Sequence, residues 1–84
     1  MKLTDRVINE FREYLIDNDK SAYTVEKYIR DVMKFKDFAG SDEITKETAG
    51  EYKNYLIRNG YSVRSINSML SSVNALFEFL DRND

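Results

Sequence analysis

The chain has 84 residues, with 13 Lys and Arg against 15 Asp and Glu, a formal net charge of −2. This length allows one small domain, and the 42% of apolar residues are enough to form its core. Because the chain has no Cys and no His, it lacks a thiolate nucleophile, an imidazole base and the usual zinc ligands. We therefore expect a non-catalytic domain without metal or cofactor. No apolar run is long enough to span a membrane and nothing resembles a signal peptide, so we also expect a cytoplasmic protein without a membrane partner.

Three clusters of turn residues, at 17–21, 40–42 and 59–62, divide the chain into four segments with apolar residues at helical spacing. The first predicted helix covers 4–17, with Thr4 as its cap. The second follows Ser21 and runs to about residue 39, and the third follows Thr45. Gly60 is expected to end the third in a left-handed conformation, and the fourth follows Ser62. No segment alternates with a period of two, so the sequence predicts an all-α domain without a sheet.

The predicted helices also indicate which side chains form the core. The fourth has the most regular apolar stripe, with steps of three and four between Val63, Ile66, Leu70, Val73, Phe77 and Leu80. Most of the tyrosines lie on apolar faces and are expected in the core: Tyr14, Tyr28, Tyr52 and Tyr55.

The chain contains an internal repeat. When it is shifted by 41 positions, residues 10–39 align without a gap on 51–80, with eight identities in 30 positions. The turn residues match as well as the helices: Asn18 falls on Asn59 and Ser21 on Ser62. This pattern predicts two helix-turn-helix units that pack face to face in a four-helix domain with approximate twofold symmetry. The alternative is an accidental likeness between amphipathic helices.

The charge is unevenly distributed, and the second helix of each repeat is the least acidic part of the chain. Residues 20–40 sum to +2, and residues 61–77 contain Arg64 and no acid. On the second predicted helix, one stripe opposite the apolar side contains Tyr23, Lys27, Arg30 and Lys34. Mobile cations beside an aromatic ring are suited to gripping phosphates, although an ordinary solvated helix face has the same pattern.

The equivalent stripe on the fourth helix contains small polar residues, which are poor helix formers. It consists of Arg64, Ser68 and Ser71, with Asn67 and Asn74 beside it. Short polar side chains let a helix approach DNA closely and bond to base edges, but they also permit close helix packing. Ser21 and Ser62 are expected to cap their helices, and exposed helix N-termini also bind anions.

Two motifs resemble the core-binding domain of tyrosine recombinases, the phage-integrase and Xer-type enzymes. The first is Lys20-Ser21-x-x-Thr24-x-x-x-Tyr28, continued by Val32, Phe35 and Phe38. The second runs from Gly60-Tyr61-Ser62 through Ser65-Ile66-Asn67 and Leu70-Ser71 to Phe77-Glu78-Phe79-Leu80. The resemblance covers essentially the whole chain. It departs from the family pattern at Val63, where Pro is frequent, and at 68, 69, 74 and 78, where basic residues are frequent.

The resemblance implies a four-helix, SAM-like DNA-binding domain that forms half of a clamp around double-stranded DNA, with helices 2 and 4 in the major groove. It also implies that a separate C-terminal catalytic domain of the same protein, absent from residues 1–84, is a partner in a bacterial or phage-encoded recombinase for DNA integration and recombination. Neighbouring protomers in a synaptic complex are further partners. The predicted DNA contacts are Lys20, Ser21, Tyr23, Thr24, Lys27, Arg30, Lys34, Arg64, Ser65, Asn67, Ser68 and Ser71.

The acidic balance of the chain favours a second hypothesis, a small helical protein–protein interaction module without nucleic-acid binding. In that case the Ser/Asn face of helix 4, or the acidic helix 1, would meet a partner protein. Binding to any duplex at low salt separates the two hypotheses, because only the recombinase domain is expected to show it.

Overall fold

The architecture is an all-α bundle of four helices, as the sequence predicts. The computed structural model describes residues 1–82. Its helices are α1 (Asp5–Asp17), α2 (Ala22–Ala39), α3 (Lys46–Arg58) and α4 (Val63–Arg82). Extended pairing in the described part of the chain is limited to one antiparallel bridge between Lys2 and Glu43. None of these helices is long and apolar enough to cross a membrane.

A hydroxyl side chain caps the start of every helix, at the position the sequence indicates. In each case the hydroxyl oxygen accepts a hydrogen bond from the backbone N–H three residues later, at 3.1 to 3.2 Å. Such a bond satisfies one of the free N–H groups of a helix start and contributes about 0.5–2 kcal/mol. The four capping residues are Thr4, Ser21, Thr45 and Ser62.

The turns that follow α1 and α3 have the same hydrogen-bond pattern, which confirms the repeat. Asp19 and Gly60, which are 41 positions apart, both have positive φ, of 60° and 81°. After each of them a backbone N–H bonds back to the helix at 3.2 Å, from Lys20 to Leu15 in the first turn and from Tyr61 to Leu56 in the second. This arrangement closes both helix ends and confirms the left-handed conformation predicted for Gly60.

The core differs from the predicted one on α4. Val63 is 75% exposed, and three other residues of the predicted stripe, Leu70, Phe77 and Leu80, are only partly buried. The buried residues of this helix are Ile66, Met69, Ser72, Val73, Leu76 and Phe79. Because α4 packs against α1, α2 and α3, its buried arc is wider than one stripe and is rotated away from Val63.

The tyrosines divide between core and surface. Tyr52 is buried, and Tyr14 and Tyr28 pack partly buried against the core. Tyr55, predicted in the core, is 40% exposed. Its ring contacts those of Phe38 and Tyr52, so it packs on the core without being enclosed by it.

Candidate nucleic-acid interface

The two stripes singled out in the sequence meet where α2 crosses α4. Lys27 Nζ donates a hydrogen bond of 2.8 Å to the backbone carbonyl oxygen of Ser68, and Ser72 Oγ donates one of 2.7 Å to Asp31 Oδ2. Both pairs are separated by 41 residues, the repeat shift, so each joins equivalent positions of the two units. The approximate twofold axis of the domain therefore passes through this crossing.

Lys27 is not the mobile, solvent-facing cation that its place in the stripe predicts. Its ammonium group also donates to Ser72 Oγ at 3.1 Å and forms an ion pair with Asp31 Oδ2 at 3.1 Å. Its side chain is 21% exposed, and the three contacts match the three hydrogens of an ammonium. The prediction of a solvent-facing Lys27 is therefore wrong. Its ammonium group is held in the crossing by the α4 backbone and by the carboxylate of Asp31, which lies one helical turn away. All three ammonium hydrogens are used there, and none is left for a phosphate.

The four other cations of the predicted contact set are exposed. Within residues 1–82 none of them forms an ion pair, in contrast to Lys36, which pairs with Asp5 at 3.3 Å. Arg30 and Lys34 lie on the α2 stripe. Lys20 lies in the turn before α2, and Arg64 lies in the first turn of α4. On the same predicted stripe as Arg30 and Lys34, Tyr23 has 79% of its surface exposed, and its contact with DNA stays a prediction.

The first turns of α2 and α4 present the same small network of hydroxyls. Ser21 Oγ donates to Thr24 Oγ1 at 3.0 Å, and Ser62 Oγ donates to Ser65 Oγ at 3.1 Å. Because Thr24 and Ser65 accept these bonds, each keeps its own hydroxyl hydrogen for another acceptor. The two helix starts therefore carry equivalent donors next to the backbone N–H groups of their first turns.

The small polar residues of α4 have more than one role. Asn67, Ser68, Ser71 and Asn74 are exposed, so their side chains are free of helix packing. Ser71 Oγ, however, donates to the carbonyl oxygen of Asn67 at 2.9 Å, which uses its hydrogen inside the helix. Close helix packing, the alternative explanation for these residues, applies instead to Ser72, which is fully buried.

The sequence reasoning missed Asp31 and Ser72, the buried polar pair at the crossing. Both are buried, with exposures of 6% and 0%. The signal was available, because a twofold axis brings some equivalent residues of a repeat together. Polar residues that coincide under the shift of 41, as Asp31 and Ser72 do, are candidates for such a contact.

The family comparison agrees with this geometry over nearly the whole chain. Residues 8–84 match the family model described as "Phage integrase, N-terminal SAM-like domain". The chain belongs to this family. The SAM-like bundle and the recombinase resemblance inferred from the motifs are thereby confirmed.

Two longer proteins are similar to this SAM-like domain. "Tyrosine recombinase XerA" of Thermococcus kodakarensis is 31% identical over 84 residues, which cover 100% of the chain and 29% of that protein. "Putative tyrosine recombinase TTE1313" of Caldanaerobacter subterraneus subsp. tengcongensis is 32% identical over 84 residues, covering 93% of the chain and 29% of that protein. No solved structure matches the chain at a significant level. Because one relative is archaeal, a bacterial or phage origin stays a prediction.

Proposed function

We propose that this SAM-like domain binds double-stranded DNA as one half of the clamp of a site-specific tyrosine recombinase. The family match and the two relatives named as tyrosine recombinases support a role in recombination. In this proposal the catalytic groups belong to another domain of the parent protein, because the chain has no His or Cys. The domain contributes affinity and orientation on the DNA, not chemistry.

The observation that carries the proposal is the basic character of the second helix of each repeat. Residues 20–40 sum to +2 and residues 61–77 contain Arg64 and no acid, although acids exceed bases in the chain as a whole. Four cations of these segments, Lys20, Arg30, Lys34 and Arg64, are exposed, and exposed cations away from acids are suited to an external anion. The phosphate backbone of DNA offers anions at regular spacing.

The predicted contact residues fall into three groups, according to the charges and hydrogen-bond donors that their surroundings leave free. The four exposed cations hold phosphates, together with the helix starts at Ser21 and Ser62. Tyr23 and Ser71 lie against the backbone, where their exposed surfaces exclude water. The candidates for base edges are Thr24, Ser65, Asn67 and Ser68, because each has a side-chain donor that no hydrogen bond within residues 1–82 uses. Lys27 acts indirectly, since it holds the crossing that positions both stripes.

A duplex-binding titration tests this proposal. The affinity of the chain for a generic duplex, measured by fluorescence anisotropy, should fall steeply with salt, with a log–log slope that corresponds to about four phosphate contacts. Replacing both Arg30 and Arg64 by Ala should weaken binding and reduce this slope by about two contacts. The matched control replaces Lys53 and Arg58, two exposed cations of α3, and has the same net charge.

The outcomes separate the proposal from the protein-interaction hypothesis. If the control variant loses as much affinity as the Arg30/Arg64 variant, binding follows net charge and the proposed surface is wrong. If the parent chain binds no duplex at low salt, even when the remainder of its recombinase is added, the interaction module becomes the better explanation. Amide NMR shifts confined to residues 20–36 and 61–75 would support the proposed face.

A further inference from the structure

The repeat forms two equivalent aromatic triads, in each of which a tyrosine near the surface packs on two more deeply buried rings. In the first, Tyr14 lies 5.0 Å from Phe79 and 6.4 Å from Phe11, measured between ring centroids. In the second, the residues at the shifted positions repeat this geometry: Tyr55 lies 5.0 Å from Phe38 and 6.2 Å from Tyr52. The angles between the ring planes also agree, at 44° and 43° for the first pair of each triad.

An arginine covers the tyrosine of the first triad. The guanidinium carbon of Arg82 lies 5.6 Å from the centroid of the Tyr14 ring. One of its nitrogens, Nη1, donates a hydrogen bond of 3.2 Å to the Tyr14 hydroxyl. This combination of a cation–π contact and a hydrogen bond is a favourable environment for a guanidinium group. The chain thus supplies a cationic ligand to its own first triad.

The tyrosine of the second triad has no such ligand. Within residues 1–82 no cation lies over Tyr55, which is 40% exposed. The residue equivalent to Arg82 is Ser41, which lies beyond the end of α2 at Ala39. The fourth helix continues for two residues beyond the position equivalent to Ala39, to Arg82. The place that Arg82 fills in the first repeat is therefore open in the second.

An open pocket of about 490 Å³ lies beside Tyr55. Its walls include four aromatic side chains, those of Phe38, Tyr52, Tyr55 and Tyr61, and its rim carries Asp37 and Lys34. We propose that this pocket is a docking site for an arginine side chain of a partner protein. The ring of Tyr55 would stack on the guanidinium group as Tyr14 stacks on that of Arg82, and the carboxylate of Asp37 would balance its charge.

The pocket is lined by one acid, Asp37, and one base, Lys34, so the preference for an arginine comes from the aromatic rings and from the free carboxylate. Asp37 forms no ion pair in the described part of the chain, so its carboxylate is free to meet a guanidinium group. Burial of Tyr52, together with the nearby acidic groups of Tyr61, Asp31, Tyr55 and Asp37, raises the pKa of its phenol to about 12. The phenol therefore stays neutral and takes part in the pocket as an uncharged ring. Lys34, at the other side of the rim, belongs to the exposed α2 stripe.

An NMR titration with N-acetyl-arginine amide tests the site without any DNA, so its result is independent of the proposed recombinase function. We expect saturable shifts at residues 34–38, 52, 55 and 61, with a dissociation constant of about 10 mM, because one cation–π contact is weak. The neutral isostere N-acetyl-citrulline amide should bind at least about fivefold more weakly. Equal shifts with both compounds, no saturable shift, or saturation of the pocket by inorganic phosphate instead would overturn the proposal.

Variants keep the test specific. Tyr55→Leu and Asp37→Asn should each weaken arginine binding about threefold or more, whereas Tyr23→Leu, which removes an exposed tyrosine elsewhere, should leave it unchanged. Arg82→Ala should uncover Tyr14 and add a second set of arginine-dependent shifts around the first triad. If Arg82→Ala adds no second site, the contact between Arg82 and Tyr14 is no model for the pocket, and the inference fails.

Discussion

Lys27 and Ser68, two residues at equivalent positions of the repeat, are joined by a hydrogen bond of 2.8 Å between the ammonium group and the backbone carbonyl. The same ammonium group contacts Asp31 and Ser72, so one cation connects both helices of the crossing. The neighbouring stripes on α2 and α4 therefore have a defined relative position.

Replacing Lys27 by Ala should destabilise the domain. The change leaves the buried carboxylate of Asp31 without its ion pair and the Ser68 carbonyl without its donor, which we expect to cost about 1–3 kcal/mol. Urea unfolding followed by circular dichroism measures the effect. The exposed Lys53→Ala should change stability by less than about 0.5 kcal/mol.

The same Lys27 variant distinguishes a positioning role from a phosphate contact. If Lys27 holds the crossing, its loss should leave the salt dependence of duplex binding unchanged once the fraction of folded protein is taken into account. Suppose instead that the log–log slope of affinity against salt falls by the equivalent of about one phosphate contact, and that stability is unchanged. That result would contradict the geometry described for the crossing.

Two glycines should respond to alanine with opposite signs. Gly60 has a φ of 81°, and no atom lies within 4 Å of an added Cβ, so Gly60→Ala should cost about 1 kcal/mol from the backbone alone. Gly50 lies inside α3, also with nothing within 4 Å of an added Cβ. Gly50→Ala should therefore stabilise the domain by about 0.5–1 kcal/mol. Thermal unfolding of both variants checks the pair, and equal signs would contradict the assigned backbone conformations.

The two serine caps should contribute similarly, because their networks are equivalent. Ser21→Ala and Ser62→Ala should each cost about 0.5–2 kcal/mol, and the double variant about the sum. Ser41→Ala, at an exposed turn residue without a capping bond in the described structure, is the control. Urea midpoints of the four variants give the comparison, and a cost at only one of the caps would mean that the repeat is not energetically symmetric.

Stability should fall at alkaline pH because of Tyr52. Burial raises the pKa of its phenol from 10.0 to about 12, so the folded state holds this proton more tightly than the unfolded state. The contribution is present in full below a pH of about 10 and is lost as the pH rises towards about 12, with a size of up to about 3 kcal/mol.

Tyr52→Phe isolates this effect, because it keeps the ring and removes the titrating group. The difference in Tm between parent and variant should shift in favour of the variant between a pH of about 10 and about 12. A constant difference over that range would show that another group causes the alkaline loss.

Much of the interface could be predicted because its determinants are local in sequence. The capping residues Ser21 and Ser62 are identified by hydroxyls in front of apolar periodicity, and Gly60 by its place after the last periodic residue. The exposure of the cations Arg30 and Arg64 follows from helical spacing, which places both away from the apolar positions of their helices. The aromatic pocket beside Tyr55 was not predicted, because its walls come from α2, α3 and the turn before α4.

By itself the sequence determines the four helices, their caps, the repeat and the family, because each depends on spacing along the chain. The tertiary structure alone decided how far α4 is rotated, which exposes Val63 and buries Ser72. It also decided that Lys27 turns inward to Ser68 and that Arg82 covers Tyr14. The physical reason is that helical periodicity specifies a face only to within the breadth of its apolar arc, and a long cationic side chain reaches either solvent or a neighbouring helix. Only the packed neighbours decide between the two.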